Sequence, residues 1–147
     1  MFLIPPKKLK GFTLIELLVV IAIIGLLATL ILVGVRNARL RANDAKIQTT
    51  LSELRNVAEM SYTTNQNYQA VCDEADNTLS NSGDFGKIEI EVKKYNGDQY
   101  LTCFESSYKQ DYAVSSPLTR EPGKHWCVSS VGIAKEIATP ITSSTCP

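Results

Sequence analysis

The whole chain carries one histidine, His125, and its basic and acidic residues balance at 15 each. The first scarcity confines any Ser-His-Asp or Cys-His centre to the neighbourhood of His125, where the sequence places neither a nucleophile nor an orienting carboxylate. A lone histidine beside Trp126 reads as a surface or packing residue, so no catalytic residue is assigned and no enzyme is expected. The charge balance argues against a dedicated nucleic-acid binder, which carries a basic excess on one face. Phosphate-binding glycine loops, N-glycosylation sequons and internal repeats are also missing. There is no CxxC pair. A zinc site usually needs four Cys/His ligands with at least one close pair, so neither metal nor cofactor is expected. The four cysteines, Cys72, Cys103, Cys127 and Cys146, are widely spaced in the C-terminal half. They read as two disulfides, which places that half in an oxidising compartment and leaves three connectivities open.

Two further absences shape the N-terminal half. No proline occurs between Pro6 and Pro117, and no charged residue occurs from Leu17 to Val35, where Thr29 is the only polar side chain. As a helix that apolar run measures roughly 28 Å, close to the hydrocarbon thickness of a bilayer. It has no polar face, and a helix apolar all round is buried in lipid or in a larger assembly. A cleaved secretory signal fits poorly, because the run exceeds the roughly 7–15 residues of a signal core and no small-x-small site follows. A simple membrane anchor explains the length but not Glu16, since a carboxylate at the edge of such a helix is costly and usually has a function.

Residues 36–60 are rich in good helix formers, so the helix is expected to continue. Ile47, Leu51, Leu54 and Ala58 make one apolar stripe with Leu40 nearby, a pattern too brief for a coiled coil and suited to packing on a small sheet. Gly25 and Gly34 lower helix stability in the apolar half, as sites of local melting or of close helix packing. After Met60 the chain turns polar, and Tyr62 to Gly86 reads as a long loop. Lys87–Tyr95 alternates as a strand, Asn96-Gly97 as a tight turn and Gln99–Ser106 as its partner. A third strand is expected over Asp111–Ser116 and a short one over His125–Val131, with Glu121-Pro122-Gly123 as a turn. The expected class is α+β, a long N-terminal helix packed on a small antiparallel sheet.

The segment Lys10-Gly11-Phe12-Thr13-Leu14-Ile15-Glu16, opening a long apolar helix after a short basic leader with Lys7, Lys8 and Lys10, resembles the class III signal of bacterial type IV pilins and type II secretion pseudopilins. The resemblance implies a pilin-like fold and cleavage between Gly11 and Phe12 by a membrane-embedded prepilin peptidase. Phe12 would then be N-methylated. It further implies that Glu16 pairs with the cationic Phe12 amine of a neighbouring subunit, setting register because a slip strands both charges. Glu16 is thus expected to serve assembly, with the helix indifferent to its loss. Many pilins carry a proline in the apolar helix, and this chain has none. By the same resemblance Cys127 pairs with Cys146 and Cys72 with Cys103. Asp73, Glu74, Asp76 and Asp84 do not form an EF-hand loop, and the calcium ligands of some pseudopilins lie in a C-terminal loop that is acid-poor here.

The expected organisation is a leader over 1–11, a membrane and assembly helix over 12–35, a stalk helix over 36–62 and a head over 63–147. Arg36, Arg39 and Arg41 offset the leader lysines, so charge leaves the orientation open, and the cysteines place the head outside the cytoplasm. The implied partners are the inner membrane, the peptidase, the assembly machinery and other pilin subunits of a homo-polymer. The competing reading is a non-polymerising anchored binding domain, which needs neither Glu16 nor the Gly11-Phe12 site.

Overall fold

A computed structural model describes residues 11–147. Lys7, Lys8, Lys10 and the rest of the expected leader before Gly11 lie outside the described residues. The chain divides into two compact units, one ending at Arg36 and one running Asn37–Pro147.

Helix α1 runs Leu14–Asn65, 52 residues with no internal proline. It ends where Gln66 turns left-handed (φ 59°) and its N–H reaches back to Tyr62 O at 2.7 Å, a common way to close a final turn. In the second unit, Ile47, Leu51, Leu54 and Ala58 are completely buried. Their spacing puts them on one face, and that stripe packs into a core with Val114, Val128 and Leu101.

Six strands follow: β1 Cys72–Asp73, β2 Thr78–Leu79, β3 Thr102–Glu105, β4 Tyr112–Pro117, β5 His125–Ser129 and β6 Ala134–Ile137. They form one sheet in the order β1-β2-β3-β4-β5-β6, each antiparallel to the next. The expected α+β layout, a long N-terminal helix on an antiparallel sheet, holds. The sheet is larger than the expected meander.

The main departure is at Lys87–Tyr95, which is not a strand. Lys87–Lys93 belongs to helix α2, Gly83–Lys93, inserted between β2 and β3, and Lys94 and Tyr95 lie in the turn after it. The alternation of Ile88, Ile90 and Val92 misleads because Ile90 is solvent-exposed while Phe85, Ile88, Glu89 and Val92 are buried. Those four recur at helical spacing, and Lys and Glu between them favour a helix. Asn96-Gly97 does not turn a hairpin but ends α2. Gly97 takes φ 81°, Asp98 N–H returns to Lys93 O at 3.0 Å, and the buried Asn96 side chain holds both Gln99 N–H and Gln99 O. The stretch read as one long loop holds the end of α1, β1, β2 and the start of α2. Strand β6 carries helix-forming Ala, Lys and Glu and so lacks a strand signature. It is a mostly exposed edge, with charged side chains that discourage pairing to another sheet.

The sheet is covered on both faces. One face meets α1 and α2 through Tyr112, Val114 and Val128. On the other, Ala113, Cys127 and Ile137 pack with Ile141 and Cys146 of the C-terminal segment. At one end of the sheet the buried Asp44 of α1 accepts the Thr119 N–H at 2.6 Å and the Arg120 N–H at 3.2 Å, tying the helix to the β4–β5 turn.

Candidate functional site

The start of α1 is a reciprocal cap. Thr13 precedes the first helical residue, and its N–H and hydroxyl both donate to Glu16 Oε2, at 2.9 and 2.8 Å. The Glu16 N–H returns a bond to Thr13 Oγ1 at 3.3 Å. Thr-x-x-Glu is the capping-box signature, which satisfies backbone donors that the first turn otherwise leaves free. The signature stands in the sequence, but attention to Glu16 as the partner of an amine passes over it. Glu16 therefore also organises the helix start, so the expectation that the helix is indifferent to its loss needs correction. Gly11 and Phe12 lie ahead of the cap in exposed, non-helical chain, and a Cβ at Gly11 would meet no atom within 4 Å.

From Leu14 to Val35 every described Leu, Ile and Val is exposed, from 81% at Leu14 to 43% at Val35. The helix is apolar enough to cross a bilayer, with a mean hydropathy of 3.1 in its most apolar window. Between Leu17 and Val35 the one polar side chain, Thr29, donates to Leu26 O at 2.8 Å. Covering even half of this surface is worth on the order of 20 kcal/mol. The helix runs unbroken through Gly25 and Gly34, and nothing lies within 4 Å of a Cβ built at either. The small residues are open notches on the shaft.

In the second unit, disulfides join Cys72 to Cys103 and Cys127 to Cys146, with Cα separations of 5.5 and 6.0 Å. The first ties β1 to β3 within the helix-facing core. The second fastens the C-terminal segment over the opposite face. Beside the first, the buried Glu105 carboxylate accepts the Cys72 N–H at 2.7 Å and meets Lys109 Nζ at 2.9 Å. Burial pushes its pKa upward, against the backbone N–H bonds that favour the charged form.

Three of the acidic residues after Cys72 have partners of their own. Asp73 accepts the Ala75 N–H, Glu74 pairs with Lys109, and Asp84 pairs with Lys87. Among the described residues no three His, Cys, Asp or Glu side chains gather to hold a cation. His125 sits on β5 with Nδ1 3.2 Å from Gly123 O.

Residues 6–32 match the family described as the prokaryotic N-terminal methylation motif. The chain is 46% identical over 66 residues to the type IV wide pilus major component PilA4 of Thermus thermophilus, covering 41% of this chain and 50% of that relative. It is 43% identical over 53 residues to a probable minor fimbrial protein of Dichelobacter nodosus, covering 36% of this chain and 33% of that one. The matches thus span half and a third of the curated relatives' own lengths. No solved structure matches significantly. The chain carries the prepilin-type N-terminal methylation motif on a pilin-like α+β layout, with a type IV pilin and a fimbrial protein among its relatives.

Proposed function

We propose that this chain is a structural subunit of a type IV pilus or a type II secretion pseudopilus-like filament. It acts as a building element and not as a catalyst. The observation that carries the reading is the methylation motif opening a helix whose first half leaves its whole apolar circumference uncovered. Lipid covers such a surface before assembly, and the same surface of other copies covers it afterwards.

In this reading residues 1–11 are a leader, 12–35 the membrane and assembly helix, 36–62 the stalk and 63–147 the head. The subunit waits in the cytoplasmic membrane, spanning it once, with its N-terminus cytoplasmic and its head outside. Prepilin peptidase cuts between Gly11 and Phe12, and Phe12 is N-methylated. The new cationic amine meets the Glu16 carboxylate of a neighbouring subunit. In a low dielectric that pair is favourable only when both partners are present, so it fixes register. The assembly machinery then extracts the subunit into the filament.

Mass spectrometry of the membrane-extracted or sheared protein tests the reading. The expected mature chain starts at monomethylated Phe12. A chain still starting at Met1, or starting beyond Val35, overturns it.

A further inference from the structure

The second unit opens on positive charge that the chain does not neutralise. Arg39 and Arg41 of α1 are both exposed, and the first unit ends on an exposed Arg36. From Leu17 to Asn43 the sequence holds no Asp or Glu. Among the described residues none of these three arginines belongs to an ion pair.

The β4–β5 turn lies beside this stretch, since Thr119 Oγ1 donates to Leu40 O at 3.4 Å. The acids there are already engaged. Asp44 takes the Thr119 and Arg120 N–H groups, Glu121 pairs with Arg120, and Glu136 pairs with Lys124. Arg39 and Arg41 are thus left without a carboxylate partner among the described residues.

Their place along the chain identifies the surface they meet. Val35 ends an apolar run of bilayer length, and Arg39 and Arg41 follow it by four and six residues. That is about 6 and 9 Å along a helix. The polar headgroup layer adds roughly 5–7 Å to each side of the hydrocarbon, and the long arginine stem lets the charged head reach into it.

The two flanks of the run carry different cations. The near side has only lysines, Lys7, Lys8 and Lys10, and the far side only arginines until Lys46. A lysine ammonium is a point charge, whereas a guanidinium presents a fork of N–H donors that matches two oxygens of a phosphate. Positive residues on the far side oppose the charge rule for orientation, and a phosphate ligand there offsets that cost.

We propose that Arg39 and Arg41 hold the phosphate of an anionic phospholipid in the outer leaflet, with Arg36 adding charge just ahead of them in the chain. This rests on the membrane stage of the filament reading and adds a lipid partner to it. Each arginine near an anionic surface contributes about fivefold in affinity. Lipid held there fixes the depth of the waiting subunit.

The test reconstitutes the full chain in nanodiscs of phosphatidylcholine with and without phosphatidylglycerol. Native mass spectrometry then counts the lipid each chain retains on transfer to detergent. Wild type is compared with the double variant Arg39→Gln/Arg41→Gln. Both changes fall on exposed helix positions and bring in a good helix former, so retained disulfides will show intact heads. Wild type is expected to retain phosphatidylglycerol in preference to phosphatidylcholine, and the double variant to lose about 25-fold of that preference. Equal retention of the two lipids by wild type, or equal preference in wild type and variant, overturns the lipid site and leaves the filament reading standing. A variant that keeps its lipid but yields no sheared filament assigns the arginines to a neighbouring copy and overturns the lipid site as well. A wild-type chain that never enters the nanodisc overturns the membrane stage too.

Discussion

Asp44 and Thr119 are 75 positions apart, yet one oxygen of the Asp44 carboxylate takes both the backbone N–H and the hydroxyl of Thr119, at 2.6 and 2.9 Å. The second oxygen takes the Arg120 N–H. One buried side chain therefore satisfies two backbone donors of the β4–β5 turn and fixes that turn to α1. Asp44→Ala leaves those part-buried donors without their acceptor, at a cost of about 2 kcal/mol. Asp44→Asn keeps one acceptor and should lose about half as much. Thermal unfolding of the full chain in detergent micelles should rank wild type, Asn and Ala in that order. Equal midpoints for wild type and Ala would show that the clamp contributes nothing.

The cap at the start of α1 separates two roles of Glu16. Glutamine can occupy the same capping position, so Glu16→Gln keeps an acceptor for Thr13 while removing the charge. Glu16→Ala removes both the charge and the acceptor. If the charge drives assembly, both variants are inserted and cleaved, and both accumulate in the membrane without joining filaments. Thr13→Ala should weaken the cap and leave the charge available, so it should assemble better than Glu16→Gln. The measurement is the ratio of sheared to membrane-retained protein. Normal filament yield from Glu16→Gln would assign Glu16 to the cap alone.

The two disulfides should fail differently. Replacing Cys127 and Cys146 with serine opens a loop closed over a separation of 19 residues, at a cost of about 3 kcal/mol on a chain-entropy estimate. It also releases the segment covering Ala113 and Ile137. Limited proteolysis should then cut first between Ala138 and Pro147. Replacing Cys72 and Cys103 should instead loosen β1 and β2 and direct the first cuts to residues 66–82. Identical cleavage patterns would contradict this division.

Glu89 of α2 is buried, and burial raises its pKa against the opposing effects of the Leu101 N–H and Lys93. A carboxyl whose folded pKa lies above its unfolded value contributes stability that is fully present below about pH 4 and is lost as pH rises through the folded pKa. Glu89→Gln should therefore flatten the stability profile upward from about pH 4 and melt at or above the wild-type temperature at pH 7. A wild type that gains on the variant as pH rises would reverse the sign and sink the assignment.

Legibility in the sequence followed the strength of each local signal. The helix stripe of Ile47, Leu51, Leu54 and Ala58 was readable because its period has no competitor over that length. So were β3, β4 and β5, where branched and aromatic residues fall at alternate positions, Thr102 and Phe104, Tyr112 and Val114, Trp126 and Val128. Lys87–Lys93 was not, because a short apolar alternation satisfies a strand and a helix alike. Only Phe85, outside the alternating window, and the exposure of Ile90 decide between them. Strand β6 owes its place to its partner β5 and not to its own composition. At the candidate site the Thr13–Glu16 cap was legible as a spacing, whereas the Asp44 clamp depends on a contact across the fold and leaves no local mark.

Every pairing in the sheet joins strands that are neighbours along the chain, with α2 as the one long detour. Contacts of this kind close short loops and so form quickly. The sheet can accordingly grow from β1 to β6 in the order in which a ribosome makes it, each new strand finding its template already in place. In that order the growing edge is always the newest strand, with β1 as the fixed edge, and the second face is covered once Cys146 reaches Cys127. Closure of Cys127 to Cys146 is the one cross-link that waits for the whole chain.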